Sequence, residues 1–261
     1  MADVRTVLDY RDLGMTFGSG DEAVHALSDI SLSIAEQEFV SIVGPSGCGK
    51  STLLNITAGL FEPTAGHILL YDQDIDDTEL TGDVGFIFQS PVLLEWRTVR
   101  KNVLLPIEIM RRNGDIDGSM ADFEERALDL LELVGLDGFE ESYPSELSGG
   151  MQQRVSICQS LIYDPDILLM DEPFGSLDAL TKDTLNLELL DIWRETGKTI
   201  LFVTHDLEEA VFLSDRVVVL SERPGTVRDV IDVDLERPRT NEIKERQAYH
   251  DYVSDVYQYF R

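Results

Sequence analysis

The stretch GPSGCGKST, residues 44–52, decides how the rest of the chain is interpreted. It fits the pattern G-x-x-x-x-G-K-[ST], and it stands between an apolar run and the helix-type pattern STLLNITAGL. Glycines allow backbone N–H groups to converge on a phosphate, and Gly44, Gly47 and Gly49 supply that freedom here. The dipole of the following helix favours the same anion, so the stretch predicts a phosphate-binding loop.

Two side chains of this loop are candidates for direct contact with a nucleotide. We expect Lys50 to reach the β- and γ-phosphates and Ser51 to ligate Mg²⁺. Cys48 occupies a variable position of the pattern, so we expect its backbone to matter more than its thiol. Cys158 is far away in sequence, and the two cysteines are interpreted as reduced thiols rather than as a disulfide or a zinc site.

Composition excludes some classes of partner. The 261 residues include 50 acidic and 21 basic side chains, which give a formal net charge of -29. Such a surface repels phosphate backbones, so no nucleic-acid partner is expected. The spread of acidic residues is typical of proteins from high-salt cells, although an ordinary acidic cytosolic protein is the alternative. With neither a secretory start nor about 18 consecutive apolar residues, we expect the chain to stay in the cytoplasm.

Short apolar runs alternate with helical patterns and predict an α/β fold with a mainly parallel sheet. The runs at 38, 166, 199 and 216 are continuously apolar, as in strands covered on both faces. Alternation in ISLSI (30–34) predicts an antiparallel patch at the side. The predicted strands are ISLSI (30–34), EFVSIV (38–43), GHILLYD (66–72), VGFIF (84–88), DILLMD (166–171), TILFVTH (199–205) and RVVVL (216–220).

Helical patterns dominate residues 90–163 and predict an inserted α-helical lobe. Ser119 and Asp122 form a capping-type start of one helix, which Gly135 should end. A second helix is predicted from about Gly150 to Tyr163, with Cys158 on its buried stripe. A third is predicted after Asp178 and before Gly197. Their core-facing residues are predicted to be Phe123, Ala127, Leu130, Leu131 and Val134, then Met151, Val155, Cys158 and Ile162, then Leu185, Leu189, Ile192 and Trp193.

Two adjacent carboxylates follow the buried run DILLM. In an open parallel sheet, ligands bind at the carboxyl ends of the strands. Asp171 is suited to holding Mg²⁺ or its water, and Glu172 to polarising an attacking water. The alternative is a pair of carboxylates that simply ends a strand in solvent.

A second anion-type helix start lies in LSGGM, residues 147–151. Ser148 and the N–H groups of Gly149 and Gly150 could accept an anion. An ordinary capped helix terminus is the alternative, because serine is also a common N-cap.

Taken together, GPSGCGKST, Gln89, LSGGMQQR, ILLMDEP, SLDA and THD occur in the order and spacing of an ATP-binding-cassette (ABC) ATPase. The chain resembles this family from residue 5 to about residue 230. The resemblance implies a P-loop NTPase core, ATP and Mg²⁺ as ligands, and hydrolysis of ATP. It also implies a head-to-tail dimer, in which each ATP lies between the phosphate loop of one copy and the LSGGM segment of a second copy.

The resemblance also implies roles for individual residues. Phe17 would stack on adenine, and Gln89 would touch Mg²⁺ and the attacking water. Asp178 would cross the dimer interface, and His205 would contact the γ-phosphate and keep Glu172 in place. A histidine at a strand end would otherwise be interpreted as structural. The residues implied to hold the phosphates and the metal are Ser46, Gly47, Gly49, Lys50, Ser51 and Thr52.

Two segments, LLEWRTVRKNV (93–103) and the stretch around TILFVTHD, resemble the ATPases of nitrate, sulfonate and taurine importers. This resemblance implies transmembrane permease subunits, a solute-binding protein, and a position on the cytoplasmic face of the membrane. Trp96 and Arg97 are the candidate permease contacts, unless Trp96 belongs to the core of the lobe. Glu95 and ICQS (157–160) depart from the pattern of the group, which weakens any assignment of the solute. The alternative function is a soluble cassette ATPase in iron–sulfur cluster assembly.

We expect the nucleotide-binding domain to span residues 1–232 and a short helical tail to span 233–261. Apolar side chains recur at helical intervals in this tail, which predicts packing on the body of the protein. They are Tyr249, Tyr252, Val253, Val256 and Phe260.

Overall fold

The computed structural model describes residues 5–75 and 82–261. Their contacts divide them into two compact units, and each unit has strands and helices of its own. The first unit contains residues 5–75 and 198–261, and the second contains residues 82–197.

The strands are β1 (Thr6–Phe17), β2 (Val24–Ala35), β3 (Phe39–Val43), β4 (Ala65–Leu70), β5 (Gln73–Asp74), β6 (Val84–Ile87), β7 (Ile167–Asp171), β8 (Thr199–Val203), β9 (Arg216–Leu220) and β10 (Val227–Asp232). The helices are α1 (Lys50–Thr57), α2 (Val99–Val103), α3 (Leu105–Asn113), α4 (Met120–Leu133), α5 (Gly149–Leu161), α6 (Ala179–Thr196), α7 (Leu207–Leu213) and α8 (Gln247–Tyr257).

In the first unit, a parallel sheet segment carries the phosphate-loop stretch. Strand β3 pairs in parallel with β8 on one side and β9 on the other, and β10 adds antiparallel to β9. All residues of β3 and β8 are buried, as expected for strands covered on both faces. A separate antiparallel sheet has the strand order β2-β1-β4-β5. The predicted α/β class, the parallel strands and the antiparallel patch are therefore confirmed.

Sequence patterns did not predict three strands: β1, β10 and the two-residue β5. Register shifts interrupt β1 around Tyr10, Leu13 and Met15, and Asp12 adopts a positive φ of 49°. Each bulge resets the alternation of apolar and polar residues, which hides the strand in the sequence. In β10 no residue is fully buried, so no apolar face marks it.

In the second unit, β6 and β7 pair in parallel. Helices α2 to α5 lie between these strands in the sequence, and α6 follows β7. The predicted capping box of α4 is confirmed: Ser119 Oγ accepts from Asp122 N, and the Asp122 side chain accepts from Ser119 N. Gly197 ends α6 in the left-handed conformation, at φ 63°. Cys158 is fully buried on α5, where its thiol donates to Leu130 O at 3.3 Å.

The C-terminal tail contains the predicted helix, α8. It packs on α7, and both helices belong to the first unit. Tyr249 and Val256 are buried, whereas Tyr252 and Val253 are half-buried. The expected packing of the tail on the body of the protein is confirmed.

Candidate functional site

The phosphate loop connects the buried strand β3 to α1, and its glycines are required by its backbone. Gly47 and Gly49 have φ angles of 75° and 110°, a region that L side chains rarely adopt. A Cβ on Gly49 would also lie 2.6 Å from Leu27 Cδ2 and 2.9 Å from Ala26 O. The loop therefore follows a path that only glycine permits at residue 49, and it leads directly into the N-terminus of α1.

Lys50 is the first residue of this helix, and its ammonium group lies against the backbone of the loop. Its side chain is largely buried, at 7% exposure, and Nζ donates to Gly44 O at 2.8 Å and Pro45 O at 3.2 Å. A positive charge next to converging backbone N–H groups is the arrangement that binds phosphate. The first unit therefore fits the triphosphate of a nucleotide.

Cys48 is buried within the loop. Burial raises the pKa of its thiol, because desolvation penalises the thiolate more than the nearby Lys50 charge stabilises it. A Cβ on Gly225 would lie 2.2 Å from Cys48 O, so the turn at Gly225 packs directly on the loop backbone. The backbone of Cys48 thus contacts the turn at Gly225, while burial keeps its thiol protonated.

Phe17 ends strand β1 and is partly exposed, at 37%. Its ring meets the ring of Phe61 edge to face, with 5.7 Å between centroids and an interplanar angle of 82°. An edge contact leaves a ring face for stacking on a flat ligand such as a base.

His205 follows β8 in a turn whose flanking residues are tightly bonded. Thr204 Oγ1 donates to Glu209 Oε2 at 2.5 Å, and Asp206 N donates to Thr204 Oγ1 at 3.0 Å. The Asp206 carboxylate caps α7 by accepting from Glu208 N and Glu209 N. These bonds tie the His205 turn to the first turn of α7, while the histidine itself is exposed.

Within the first unit, His205 and the start of the phosphate loop line one cleft of about 680 Å³. The loop contributes Gly44, Pro45 and Ser46. The other lining residues are Asp206, Leu207, Glu208, Val253, Tyr257 and Phe260. The structure thus brings together two of the predicted elements, the loop and the histidine.

In the second unit, the strand ends bring Gln89 and Glu172 together. Strands β6 and β7 pair in parallel with Ile87 opposite Met170, and the two site residues each follow by two positions. Gln89 Nε2 and Glu172 Oε2 both lie 3.5 Å from the position that a Cβ on Gly175 would occupy. The structure thus places an amide next to the carboxylate that the sequence nominates for water activation.

Glu172 adopts a left-handed backbone conformation, with φ 46°. For a residue other than glycine this costs about 1–2 kcal/mol. Gly175 N donates to Glu172 O at 3.0 Å, which closes a turn directly after β7. Strain of this kind often occurs at functional sites, and here it falls on the candidate general base. Asp171, the last residue of β7, precedes this turn.

The LSGGM and SLDA segments also meet in the second unit. Ser148 Oγ caps α5 by accepting from Met151 N at 3.3 Å, so the sequence alternative of a capped terminus is present. Asp178 caps α6 by accepting from Thr181 N and Thr181 Oγ1, and these bonds lower the pKa of its carboxyl. A Cβ on Gly150 would lie 3.0 Å from Thr181 Cγ2. The two helix starts are therefore neighbours, and Ser148 remains exposed.

The loop before α2 carries the candidate docking residues. Trp96 is 75% exposed, so the alternative that it belongs to the core of the lobe is wrong. Arg97 is engaged within the unit: Nη2 pairs with Glu108 Oε2 at 2.7 Å, and Nη1 donates to Lys101 O. Trp96 is consequently the better placed of the two for contact with another protein.

Asn102 organises this loop, and sequence reasoning missed it. The side chain is fully buried, and Nδ2 donates to the carbonyl oxygens of Leu94, Arg97 and Thr98 at 3.1–3.2 Å. Its Oδ1 accepts from Leu94 N at 2.7 Å. The sequence signals this loop-organising role only by an asparagine within a short helix. Thr204 and Glu209 were missed for a similar reason, because their bond becomes visible only when α7 is folded.

Across residues 5–75 and 82–261, none of the helices combines the length and apolar character needed to span a bilayer. Helix α6, the longest at 18 residues, carries several charged side chains.

Comparisons with known proteins agree with this geometry. A family described as ABC transporter matches residues 27–175. An uncharacterized ABC transporter ATP-binding protein of Methanocaldococcus jannaschii, MJ0412, is 45% identical over 97% of this chain and 92% of its own length. The aliphatic sulfonates import ATP-binding protein SsuB of Bacillus thuringiensis is 40% identical over 94% of this chain and 92% of its own length.

A solved structure is also similar. The ATP-binding cassette MJ0796, in a dimeric post-hydrolysis state with ADP and Pi, superposes with a TM-score of 0.75 and 34% sequence identity. The match covers 88% of this chain and all of that chain. The chain therefore belongs to the ABC transporter family, and it is an ATP-binding ATPase of that family.

Proposed function

We propose that the chain energises the import of a small solute of the nitrate, sulfonate or taurine type through separate membrane subunits. The main support is the SsuB relative, which is named for the import of aliphatic sulfonates and is similar over nearly the whole of both chains. The exposed Trp96 supports a docking surface on the second unit. Import would place the protein on the cytoplasmic face of the membrane, attached through the permease subunits.

The residues of the first unit fit the binding of ATP. The N–H groups of the glycine loop and Lys50 would hold the phosphates, and Phe17 would stack on the base. The fit rests on the positive φ angles of Gly47 and Gly49 and on the placement of Lys50 over the loop. Ser46 and Thr52 would add hydroxyl contacts to the phosphates.

Mg²⁺, when bound, would neutralise charge that develops on the transferred phosphoryl group. Ser51 in the first unit, and Gln89 and Asp171 in the second, each carry an oxygen of the kind that this ion prefers, and each is a candidate ligand. Asp171 follows the buried part of β7, and Gln89 follows β6.

For hydrolysis, Glu172 would accept the proton of the attacking water, with Gln89 orienting that water. The support is the proximity of Gln89 Nε2 and Glu172 Oε2 to the same point beside Gly175. His205 would contact the γ-phosphate.

We further propose that two copies close head to tail around ATP. Ser148, Gly149 and Asp178 are exposed at two helix starts, where a second copy could reach them. The dimeric state of the related cassette MJ0796 supports this arrangement. In such a dimer, the Ser148 helix start of one copy would face the phosphates held by the other.

The import proposal is tested by affinity purification of the tagged full chain from native membranes at high salt. Recovery with a membrane subunit and a solute-binding protein is expected. The ATPase activity of that complex should rise when the binding protein carries a sulfonate, nitrate or taurine. Recovery with soluble assembly scaffolds instead, and not with membrane subunits, would refute import.

A Trp96→Ala variant tests the docking surface. Because Trp96 is 75% exposed, its removal should leave the ATPase rate of the isolated chain unchanged while abolishing recovery of the membrane subunit. Leu128→Ala is the matched control, since Leu128 is an exposed apolar residue on α4. Equal recovery with both variants would remove Trp96 from the contact.

A further inference from the structure

The C-terminal segment, residues 237–257, is bonded to both ends of α7. At the C-terminal end, the Arg239 guanidinium is 4% exposed. Its Nη1 donates to Val211 O, Phe212 O and Ser214 O at 3.1, 2.9 and 2.7 Å. A cation in this position satisfies carbonyl groups that have no partner within the helix and complements the helix dipole. Arg239 is therefore a C-terminal cap of α7.

At the N-terminal end of α7, the contact comes from α8. Tyr249 is 2% exposed, and its hydroxyl donates to Glu208 O at 3.0 Å. Glu208 lies in the first turn of α7, three residues after His205. The two contacts fix α7 at opposite ends.

The His205 turn is coupled to α7 by side-chain bonds. Thr204 Oγ1 bonds Glu209, and Asp206 bonds the N–H groups of Glu208 and Glu209. A shift of the first turn of α7 would therefore be transmitted to the residues on either side of His205. Helix α8 also faces the same cleft, through Val253 and Tyr257.

We propose that Tyr249 and Arg239 are positioning residues for His205, acting through α7. Neither residue lines the cleft, so both act at a distance from the reacting atoms. The C-terminal segment holds α7 in place, and α7 in turn holds the histidine next to the start of the phosphate loop. This role rests on the proposed contribution of His205 to ATP hydrolysis.

The test begins with Tyr249→Phe, which removes one hydroxyl and keeps the ring in its packing. Loss of one hydrogen bond that helps to orient a catalytic group should lower kcat for ATP by roughly 3- to 10-fold. The KM for ATP should stay within about twofold, because His205 would act on the transition state more than on binding. Tyr252→Phe is the control: it lies on the same helix, and its hydroxyl accepts from Asp234 N.

A double-mutant cycle with His205→Ala separates positioning from a general loss of stability. In the His205→Ala background, Tyr249→Phe should change kcat by less than about twofold, because the group that it positions is already gone. Arg239→Lys, which keeps the charge and loses the planar fork, should show the same dependence on His205. Unfolding midpoints of all variants show whether each is folded at the assay temperature.

The outcomes distinguish the two proposals. If Tyr249→Phe lowers kcat equally with and without His205, or behaves like Tyr252→Phe, the positioning role is overturned while the role of His205 stands. If His205→Ala alone leaves kcat unchanged, the proposed role of His205 and the positioning role both fail.

Discussion

The starts of helices α1 and α5 both present backbone N–H groups, and they are built differently. The N-cap of helix α1 is Gly49, which has a φ of 110° and no side chain that could cap the helix. The next residue, Lys50, is buried. Helix α5 begins after Ser148, in an extended conformation, and the serine hydroxyl caps Met151 N.

The difference matches the two kinds of phosphate contact that we propose for these helix starts. The α1 start depends on the conformation of Gly49 and on the charge of Lys50 within the same loop. It therefore suits a phosphate that binds inside this loop. The α5 start is already capped by its own side chain and lies at an exposed position, so it suits a ligand brought by a second copy of the chain. Variants at the two starts should therefore separate binding of ATP from closure of the dimer.

The largest effect is expected from Glu172→Gln, which leaves both helix starts in place and removes the proposed general base. Turnover of ATP should fall by roughly 10²-fold or more, the size expected for loss of general-base assistance. Affinity for ATP should be retained, and a long-lived ATP-bound dimer should accumulate. Steady-state hydrolysis and nucleotide-binding assays measure the two quantities.

Glu132→Gln is the matched control, because Glu132 is an exposed carboxylate on α4 in the same unit. Hydrolysis by Glu172→Gln at the rate of the unmodified chain would exclude Glu172 as the base.

Lys50→Ala tests the α1 start directly. Loss of charge-assisted bonds, each about 1.5–3 kcal/mol, should weaken ATP binding by roughly 10²-fold. Lys101→Ala removes an exposed lysine and should leave binding unchanged. Titration of a fluorescent ATP analogue into the monomer gives both constants, and equal constants would contradict a phosphate contact by Lys50.

Alanine substitutions of Gly49 and Gly149 compare how strongly the backbone of each helix start requires glycine. Gly49→Ala meets a positive φ and a 2.6 Å contact with Leu27, and should lower the free energy of unfolding by about 2–4 kcal/mol. Gly149→Ala would place its Cβ 3.4 Å from Leu177 Cδ2, an ordinary contact, and should change that free energy by less than about 1 kcal/mol. Urea unfolding of both variants measures this difference, and similar losses would show that the α1 start needs no special conformation.

The smallest effect concerns the thiol inside the phosphate loop. Burial raises the pKa of Cys48, so only a small fraction of this thiol is the reactive thiolate near neutral pH. That fraction increases only as the solution becomes alkaline. Cys48 should react with a disulfide reagent at pH 7 many times more slowly in the folded protein than in urea. Fast labelling of the native protein, assigned to Cys48 by a Cys48→Ser variant, would contradict a protonated and buried thiol.

Local patterns in the sequence nominate the candidate site residues, whereas some of the strands leave no such pattern. Three of these patterns are local in sequence: the loop at residues 44–52, the helix start at Ser148, and the adjacent carboxylates Asp171 and Glu172. Each lies where one predicted element ends or the next begins. Strand β1 was missed because bulges reset its alternation, and β10 because none of its residues is fully buried. A sequence pattern carries no information about such irregularities.

Contacts between distant residues were also outside the reach of sequence patterns. The bond between Tyr249 and Glu208 joins positions 41 residues apart, and no periodicity links them. The left-handed backbone of Glu172 is likewise invisible in the sequence, since glutamate is rarely found there. The assignment of Arg97 as a contact overlooked its pairing with Glu108, which requires the folded α3.

The most direct test of a shared ATP site is the mass of the Glu172→Gln chain in solution, measured by light scattering with and without ATP and Mg²⁺. Addition of ATP should convert the 29.3 kDa monomer to a species of twice that mass. Ser148→Arg in the same background should bind ATP as a monomer and stay at the monomer mass, because a bulky charge at the exposed α5 start blocks closure. An ATP-dependent dimer that forms equally well with Ser148→Arg would contradict a site shared between two copies.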